Sequence, residues 1–126
     1  MKKAIPIAMS FRGCVYPDID DPSVFIAHSL EMDVIGTGNS VEEALSELLE
    51  VIEAQLQSCS RTGSQVFYPA PNDIWERYRC KSAKKIPGEL MSRIIRDANK
   101  RLGHDMPAFD TVRASEDIPN EQFAMA

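Results

Sequence analysis

The sequence of 126 residues predicts an α+β domain: a small antiparallel sheet of three to four strands packed on one long helix, followed by short C-terminal helices. Apolar residues alternate with a period of two near the N-terminus, which is the pattern of strands with one buried face. The period then changes to about 3.6 residues, which is typical of an amphipathic helix. Hydrophobic residues make up 44% and charged residues 26% of the chain, a balance that excludes a disordered protein.

Two strands are predicted in the N-terminal part, together with a short third strand or the last part of one. Residues 5–16 place apolar side chains at alternate positions and form the first predicted strand. Residues 17–22 combine proline with aspartate, which is typical of a turn. A second strand is predicted at residues 23–30, in a hairpin with the first, and Val34 and Ile35 predict a short third strand.

A long amphipathic helix is predicted over residues 41–58. Ser40 and Glu43 form a capping box, in which the serine hydroxyl accepts a hydrogen bond from a first-turn amide and the glutamate reaches back to the cap. The glutamates of this segment lie mostly off its apolar side. That apolar stripe consists of Val41, Ala44, Leu45, Leu48, Ile52, Leu56 and Cys59.

Shorter elements are predicted in the middle of the chain. Residues 65–68 predict a short strand that the following prolines end. Asn72 is predicted to cap a short helix that contains Trp75. Residues 81–85 are predicted to be a connector between this helix and the next.

The last helix is predicted to begin near Pro87 and to end at Gly103 in a left-handed cap. No period is sustained beyond it, which indicates an extended or partly disordered tail. We therefore divide the chain into an α+β unit at 1–68, a helical basic segment at 69–103 and the tail at 104–126.

The net charge of −5 is the sum of acidic and basic segments that lie apart along the chain. Residues 1–76 hold four basic and twelve acidic residues, whereas residues 77–101 hold nine basic and two acidic ones. A solvated face, or one that docks on the glutamates of the long helix, is the favoured interpretation of the basic block, and contact with nucleic acid is the alternative. The candidate nucleic-acid-binding residues are Arg77, Arg79, Lys84, Lys85, Arg93, Arg96, Lys100 and Arg101.

The sequence predicts a cytoplasmic protein with no membrane segment. Its apolar runs are too short to span a bilayer, and the N-terminal run is broken by Ser10 and Arg12, which favours a strand over a secretory signal. Cys14, Cys59 and Cys80 are odd in number and form no C-x-x-C pair. We expect inert or buried thiols, with metal binding or redox use as the alternative.

A resemblance to a known family lies in residues 25–56. The segment Leu30-Glu31-Met32-Asp33, the turn Gly38-Asn39-Ser40 and the helix start Glu42-Glu43-Ala44-Leu45 resemble, in that order, motifs of the HicB-like antitoxin family. Asn39 and Ser40 stand where the family usually has aspartate and threonine. The preceding strand extends the resemblance over about residues 5–58.

The resemblance implies a partial ribonuclease-H-like unit with no catalytic site and no cofactor. In the family this unit covers a small mRNA-cleaving toxin of the HicA-like type, and a C-terminal segment binds operator DNA. A basic toxin, operator DNA and a second copy of the chain, as a homodimer or higher homo-oligomer, are therefore the implied partners. The candidate partner-binding residues are Glu31, Asp33, Glu47 and Glu50, for which a solvated face is the alternative.

Three hypotheses of function follow. The first is a non-catalytic antitoxin-type binding protein, with regulation of its own operon as a further role, and the second is a nucleic-acid-binding regulator that acts through residues 77–101. The third is an enzyme, which would require His28 to cluster with Asp18 or Asp20 in a cleft. We predict no enzyme, because His28 lies among apolar residues as a packed or edge histidine and the aspartates belong to a turn. No metal site is predicted either.

Overall fold

The computed structural model describes residues 10–63, 67–103 and 108–123. Three helices and five strands lie in these ranges. In chain order they are β1 (Ser10–Pro17), β2 (Phe25–Ser29), β3 (Ile35–Gly38), α1 (Val41–Thr62), α2 (Asn72–Arg79), β4 (Lys84–Lys85), α3 (Gly88–Leu102), β5 (Ala108–Ala114) and a 3₁₀ turn (Asn120–Phe123). None of the helices described here is long and apolar enough to cross a membrane.

The strands form one mixed sheet in the order β3-β2-β1-β5-β4. The predicted α+β class and the packing of a small sheet on one long helix are confirmed. The sheet is larger than the predicted three to four antiparallel strands, because β5 pairs with β1 in parallel. A parallel pair needs a long crossover, and here the chain between β1 and β5 contains all three helices.

The segment predicted to be a tail contributes a strand to the interior of the sheet. β5 pairs with β1 on one side and with β4 on the other, and Ile118 beyond it is 1% exposed. The prediction was wrong here because β5 is short and carries Asp110 and Arg113, so its sequence shows no clear apolar period. The Arg113 guanidinium donates a hydrogen bond to the carbonyl oxygen of Ala83 at 3.1 Å, so this charged side chain has a partner within the fold. Strands from all three predicted segments thus share one sheet.

Helix α1 begins as predicted and extends four residues further. The Ser40 hydroxyl accepts from the Glu43 amide at 3.1 Å, and Gly63 ends the helix with a left-handed φ of 72°. The Glu43 carboxylate accepts from the Asn39 amide at 2.9 Å, one residue before the cap. The predicted apolar stripe is buried along its length. Leu49 and Glu53, which the predicted stripe does not include, are buried as well, so the buried residues of α1 are Val41, Ala44, Leu45, Leu48, Leu49, Ile52, Glu53, Leu56 and Cys59.

Strand β3 lies directly against α1 because it contains two glycines. A Cβ atom at Gly36 would lie 2.3 Å from the backbone nitrogen of Leu48, and one at Gly38 would lie 2.5 Å from the Cβ atom of Glu43. Such distances leave no room for a side chain. The glycines therefore permit a close approach of strand and helix, and the strand continues through a segment that the sequence placed after its end.

The two faces of the sheet are covered differently. Helices α1 and α3 share one large core with strands β1, β2 and β5. On the opposite face, Ile74 of α2 packs on Cys14 and Leu30, with Trp75 and Tyr78 against this smaller cluster. The side chain of Ile35 on β3 remains 43% exposed. The second face is therefore only partly covered.

Several local predictions differ from the structure in the middle of the chain. Asn72 is the first residue of α2 and not its cap, since the cap position is Pro71, which has no side chain to accept a hydrogen bond. Phe67 and Tyr68 are exposed and lie outside any strand, and residues 65 and 66 of that predicted strand lie outside the described residues. Part of the predicted connector pairs with β5 as β4.

The second strand is shorter than the predicted 23–30, since β2 is Phe25–Ser29, while the last helix and the first strand agree with the sequence. Helix α3 follows Pro87 and ends at Gly103 with a φ of 79°, as predicted. The first strand agrees over its described part, while residues 5–9 lie outside the described residues.

Candidate functional site

An acidic groove runs along the exposed side of α1. It has a volume of about 640 Å³ and opens widely to solvent. Every lining residue lies between the cap and the third turn of α1. The groove lies next to β3 because Glu47 and Glu43 accept hydrogen bonds from the backbone amides of Thr37 and Asn39. The lining residues, which define the acidic groove, are Ser40, Glu42, Glu43, Ser46, Glu47 and Glu50.

Two glutamates of the acidic groove are neutralised by helix α3. Arg93 donates to Glu42 at 2.7 Å, and Arg101 forms an ion pair with Glu50. These contacts confirm, for Arg93 and Arg101, the interpretation that the basic block docks on the long helix. Both pairs are partly exposed, so each adds little to stability, but together they align α3 along α1.

The other two glutamates reach to the outer edge of β3. The Glu47 carboxylate accepts from the backbone amide of Thr37 at 3.2 Å, and Glu43 accepts from that of Asn39. Both side chains are exposed, and no ion pair joins them to a basic residue in the described ranges. Negative charge thus remains uncompensated where the helix meets the edge of the sheet.

The predicted partner-binding residues do not form one site. Glu47 and Glu50 line the acidic groove, whereas Glu31 and Asp33 lie at the end of β2 and are engaged elsewhere. Glu31 accepts two hydrogen bonds from Arg12, one from its amide at 2.8 Å and one from Nε at 2.6 Å. Sequence spacing alone does not distinguish a carboxylate that pairs within the chain from one that faces solvent.

His28 is packed, as predicted, and joins a short hydrogen-bonded chain. Its side chain is 9% exposed, its Nε2 lies 2.7 Å from Asp33, and its Nδ1 lies 2.8 Å from the Tyr16 hydroxyl. Since an ionised carboxylate only accepts, Nε2 donates to Asp33, and Nδ1 of the neutral ring accepts from Tyr16. Asp33 adopts a φ of 56°, which aspartate tolerates better than most residues.

The aspartates of the turn before β2 serve the turn itself. Asp18 accepts from the Asp20 amide at 2.9 Å, and Asp21 accepts from the hydroxyl and the amide of Ser23. The bonds from Ser23 lower the pKa of Asp21. The turn prediction is confirmed. Within the described residues, no group of three or more His, Cys, Asp or Glu side chains is placed to hold a metal ion.

The cysteines differ in exposure. Cys14 and Cys59 are buried, while Cys80 is exposed, so the expectation of burial holds for two of the three. Burial raises the pKa of the Cys14 thiol to about 12, and burial likewise raises the pKa of Tyr16 to about 12. Cys14 is consequently protonated at neutral pH and is a poor nucleophile.

The predicted nucleic-acid-binding residues divide into engaged and exposed groups. The guanidinium of Arg77 lies 4.9 Å from the ring centre of Tyr16, and that of Arg79 lies 5.7 Å from the ring centre of Trp75. Lys84 donates to the carbonyl oxygen of Ile118 at 3.0 Å. With Arg93 and Arg101 paired to α1, the remaining three are Lys85, Arg96 and Lys100, which are exposed, as Arg77, Arg79 and Arg101 also are.

Sequence reasoning missed two arginines that organise the second face. Arg12 pairs with Glu31 and also lies 4.8 Å from the ring centre of Trp75. Arg113 donates to backbone carbonyls after α2 and lies 5.6 Å from the ring centre of Tyr78. The alternation within β1 places Arg12 on the same face as Cys14 and was the available signal. For Arg113 there was no signal, since its strand was not recognised.

Comparison with models of protein families, with curated proteins and with solved structures finds no match to this chain. The resemblance to the HicB-like family therefore stays a prediction.

Proposed function

We propose that this protein is a non-catalytic binding protein of the HicB-like antitoxin type, which neutralises a small basic mRNA-cleaving toxin by covering it. The observation that carries the proposal is the acidic groove beside β3. Two of its glutamates, Glu43 and Glu47, are exposed and have no basic partner in the described ranges. A basic protein surface is the complement of such a groove.

Charge supports this choice of partner. The N-terminal part of the chain has three acidic residues for each basic one, and α3 compensates only Glu42 and Glu50 of the groove. Complementary charge accelerates encounter and orients docking, and it excludes partners of like charge. An RNA-cleaving toxin must itself be basic to hold RNA, so an acidic protein that covers it competes directly with its substrate.

The surroundings of the reactive side chains support binding rather than catalysis. Of Tyr16, His28 and Asp33 only the histidine is buried, and the hydrogen bonds among the three join β2 to β1 and to the residues that follow β2. The raised pKa of Cys14 keeps its thiol protonated. These groups hold the second face together, and the acidic groove lies on α1.

Co-expression tests the proposal. The reading frame beside this protein's gene that encodes a small basic protein is expressed alone and together with this chain. We expect growth arrest in the first case and restored growth in the second. Glu47→Lys is expected to weaken the rescue, whereas Glu116→Lys, the same charge change at an exposed turn after β5, preserves it. Absence of a toxic neighbour, or arrest that persists with the wild-type chain, contradicts the proposal.

Regulation through nucleic acid is a second candidate function. Arg96 and Lys100 are exposed, four residues apart on α3, and Lys85 is exposed nearby in the chain. A gel shift with DNA from upstream of the gene is expected to weaken as salt rises and when Arg96 and Lys100 are both changed to alanine. Equal affinity under all of these conditions contradicts this role. A homodimer, which operator binding implies, is tested by light scattering on the same sample.

A further inference from the structure

We propose that the outer edge of β3 is a docking site for an extended basic segment of a partner protein, which adds to the sheet as a further strand. The inference rests on the proposed function and deepens it by naming where the partner binds and what its backbone does. It is carried by the geometry of the β3 edge, which the acidic groove borders.

The outer edge of β3 carries backbone groups that no described strand satisfies. β3 is the first strand in the sheet order and pairs only with β2 within the described ranges. The Thr37 amide donates to the side chain of Glu47 rather than to β2, so it points away from the sheet. Alternate residues of a strand direct their backbone groups to the same edge, which places Ile35 on this edge as well. Such an edge is a template for another strand.

Glu47 occupies the position that a carbonyl oxygen of an added strand would take. Its hydrogen bond to Thr37 is long, at 3.2 Å, and its side chain is exposed, so little is lost when it moves aside. The close approach at Gly36 and Gly38 is what allows a side chain of α1 to reach this edge. Glu47 therefore protects the edge in the free protein and becomes available to a cation when a strand displaces it.

The surroundings of the edge specify the side chains of the added strand. Successive side chains of a strand point to opposite faces of the sheet. On one face they would meet Glu43 and Glu47 of α1, and on the other the exposed side chain of Ile35. A segment that alternates lysine or arginine with apolar residues satisfies both faces. Pairing with β3 of a second copy would instead bring like charges together, which favours the basic partner.

A synthetic peptide tests the proposal with the full-length protein. The probe is an eight-residue peptide that alternates lysine and valine, with both ends capped. We expect it to bind and to slow hydrogen exchange of the Thr37 amide by about tenfold or more, because a strand hydrogen bond replaces an exposed one. A glutamate-valine peptide of equal length, and a lysine-valine peptide with N-methyl groups along one edge, are expected to leave this amide unchanged.

Matched variants locate the binding. Glu47→Lys is expected to abolish peptide binding, and Glu116→Lys is expected to retain it. Binding of the lysine peptide without protection of Thr37, or equal binding of the N-methylated peptide, overturns strand addition. Protection that rises with protein concentration in the absence of peptide identifies a second copy as the occupant and also overturns the proposal. Peptide binding without toxin rescue contradicts the proposed function alone; rescue without peptide binding contradicts strand addition alone.

Discussion

Asp33 illustrates how a residue chosen from sequence as a partner contact has another use in the fold. It accepts from His28, whose other nitrogen contacts Tyr16, and it takes a left-handed backbone conformation with a φ of 56°. This conformation is unfavourable for residues with a Cβ atom, though less so for aspartate and asparagine. Asp33 therefore both turns the chain after β2 and orients a buried histidine.

Substitutions of Asp33 separate these two roles. Asp33→Asn retains both an acceptor and tolerance of positive φ, so it is expected to be the least destabilising. Asp33→Gly loses the hydrogen bond but fits the backbone, while Asp33→Ala loses both and is expected to cost about 1 kcal/mol more than asparagine from the backbone alone. Urea denaturation of the three variants measures the order. Equal stability of the alanine and asparagine variants contradicts this account of the turn.

The raised pKa of Cys14 predicts that the free energy of unfolding decreases at alkaline pH. Burial raises the pKa of its thiol from the unfolded value of 9.0 to about 12 in the folded state. Between these values the unfolded chain loses the proton and the folded chain keeps it, so stability is present below pH 9 and falls as pH rises toward 12. Cys14→Ala is expected to flatten this fall in pH-dependent urea denaturation, and Cys80→Ala to leave it unchanged. The same slope in all three proteins contradicts the burial of Cys14.

Among the elements, α1 was the most predictable and β5 the least. The start of α1 can be predicted from residues that are close in sequence, since Ser40 and Glu43 form the cap and the spacing of the apolar residues determines the buried face. β5 lacks such a local pattern, and its place between β1 and β4 depends on pairing between residues distant in sequence. The extent of β3 was missed for another reason: glycine signals a turn in sequence, but at Gly36 it permits contact with α1.

Gly36→Ala tests the contact between β3 and α1. The added Cβ would lie 2.3 Å from the backbone nitrogen of Leu48, so strand and helix must separate. We expect a loss of about 1–3 kcal/mol in the free energy of unfolding, as for other overpacked cores. Gly88→Ala is the matched control, because a Cβ there meets no atom within 4 Å and its φ is not positive. Similar stability of the two variants in urea denaturation contradicts the close approach.

At the scale of the whole molecule, ion pairs within the fold neutralise part of the acidic and basic segments that the sequence shows. Arg93 and Arg101 of the basic block pair with Glu42 and Glu50, so part of that charge holds helices together. Sequence predicted both the acidic and the basic sets but not their pairing, because the pairing depends on how α3 packs beside α1. What remains is an acidic groove next to a sheet edge that no strand in the described ranges covers, and Glu47 joins the groove to that edge.

Inhibition of mRNA cleavage by the purified small basic protein encoded beside this gene tests the central claim most directly. We expect the wild-type chain to stop cleavage when the two proteins are equimolar, Glu116→Lys to do the same, and Glu47→Lys to require a large excess. Inhibition by the wild type is also expected to weaken as salt rises, since opposite charges drive the encounter. Cleavage that continues in the presence of excess wild-type protein, or equal inhibition by Glu47→Lys, would contradict recognition through the acidic groove.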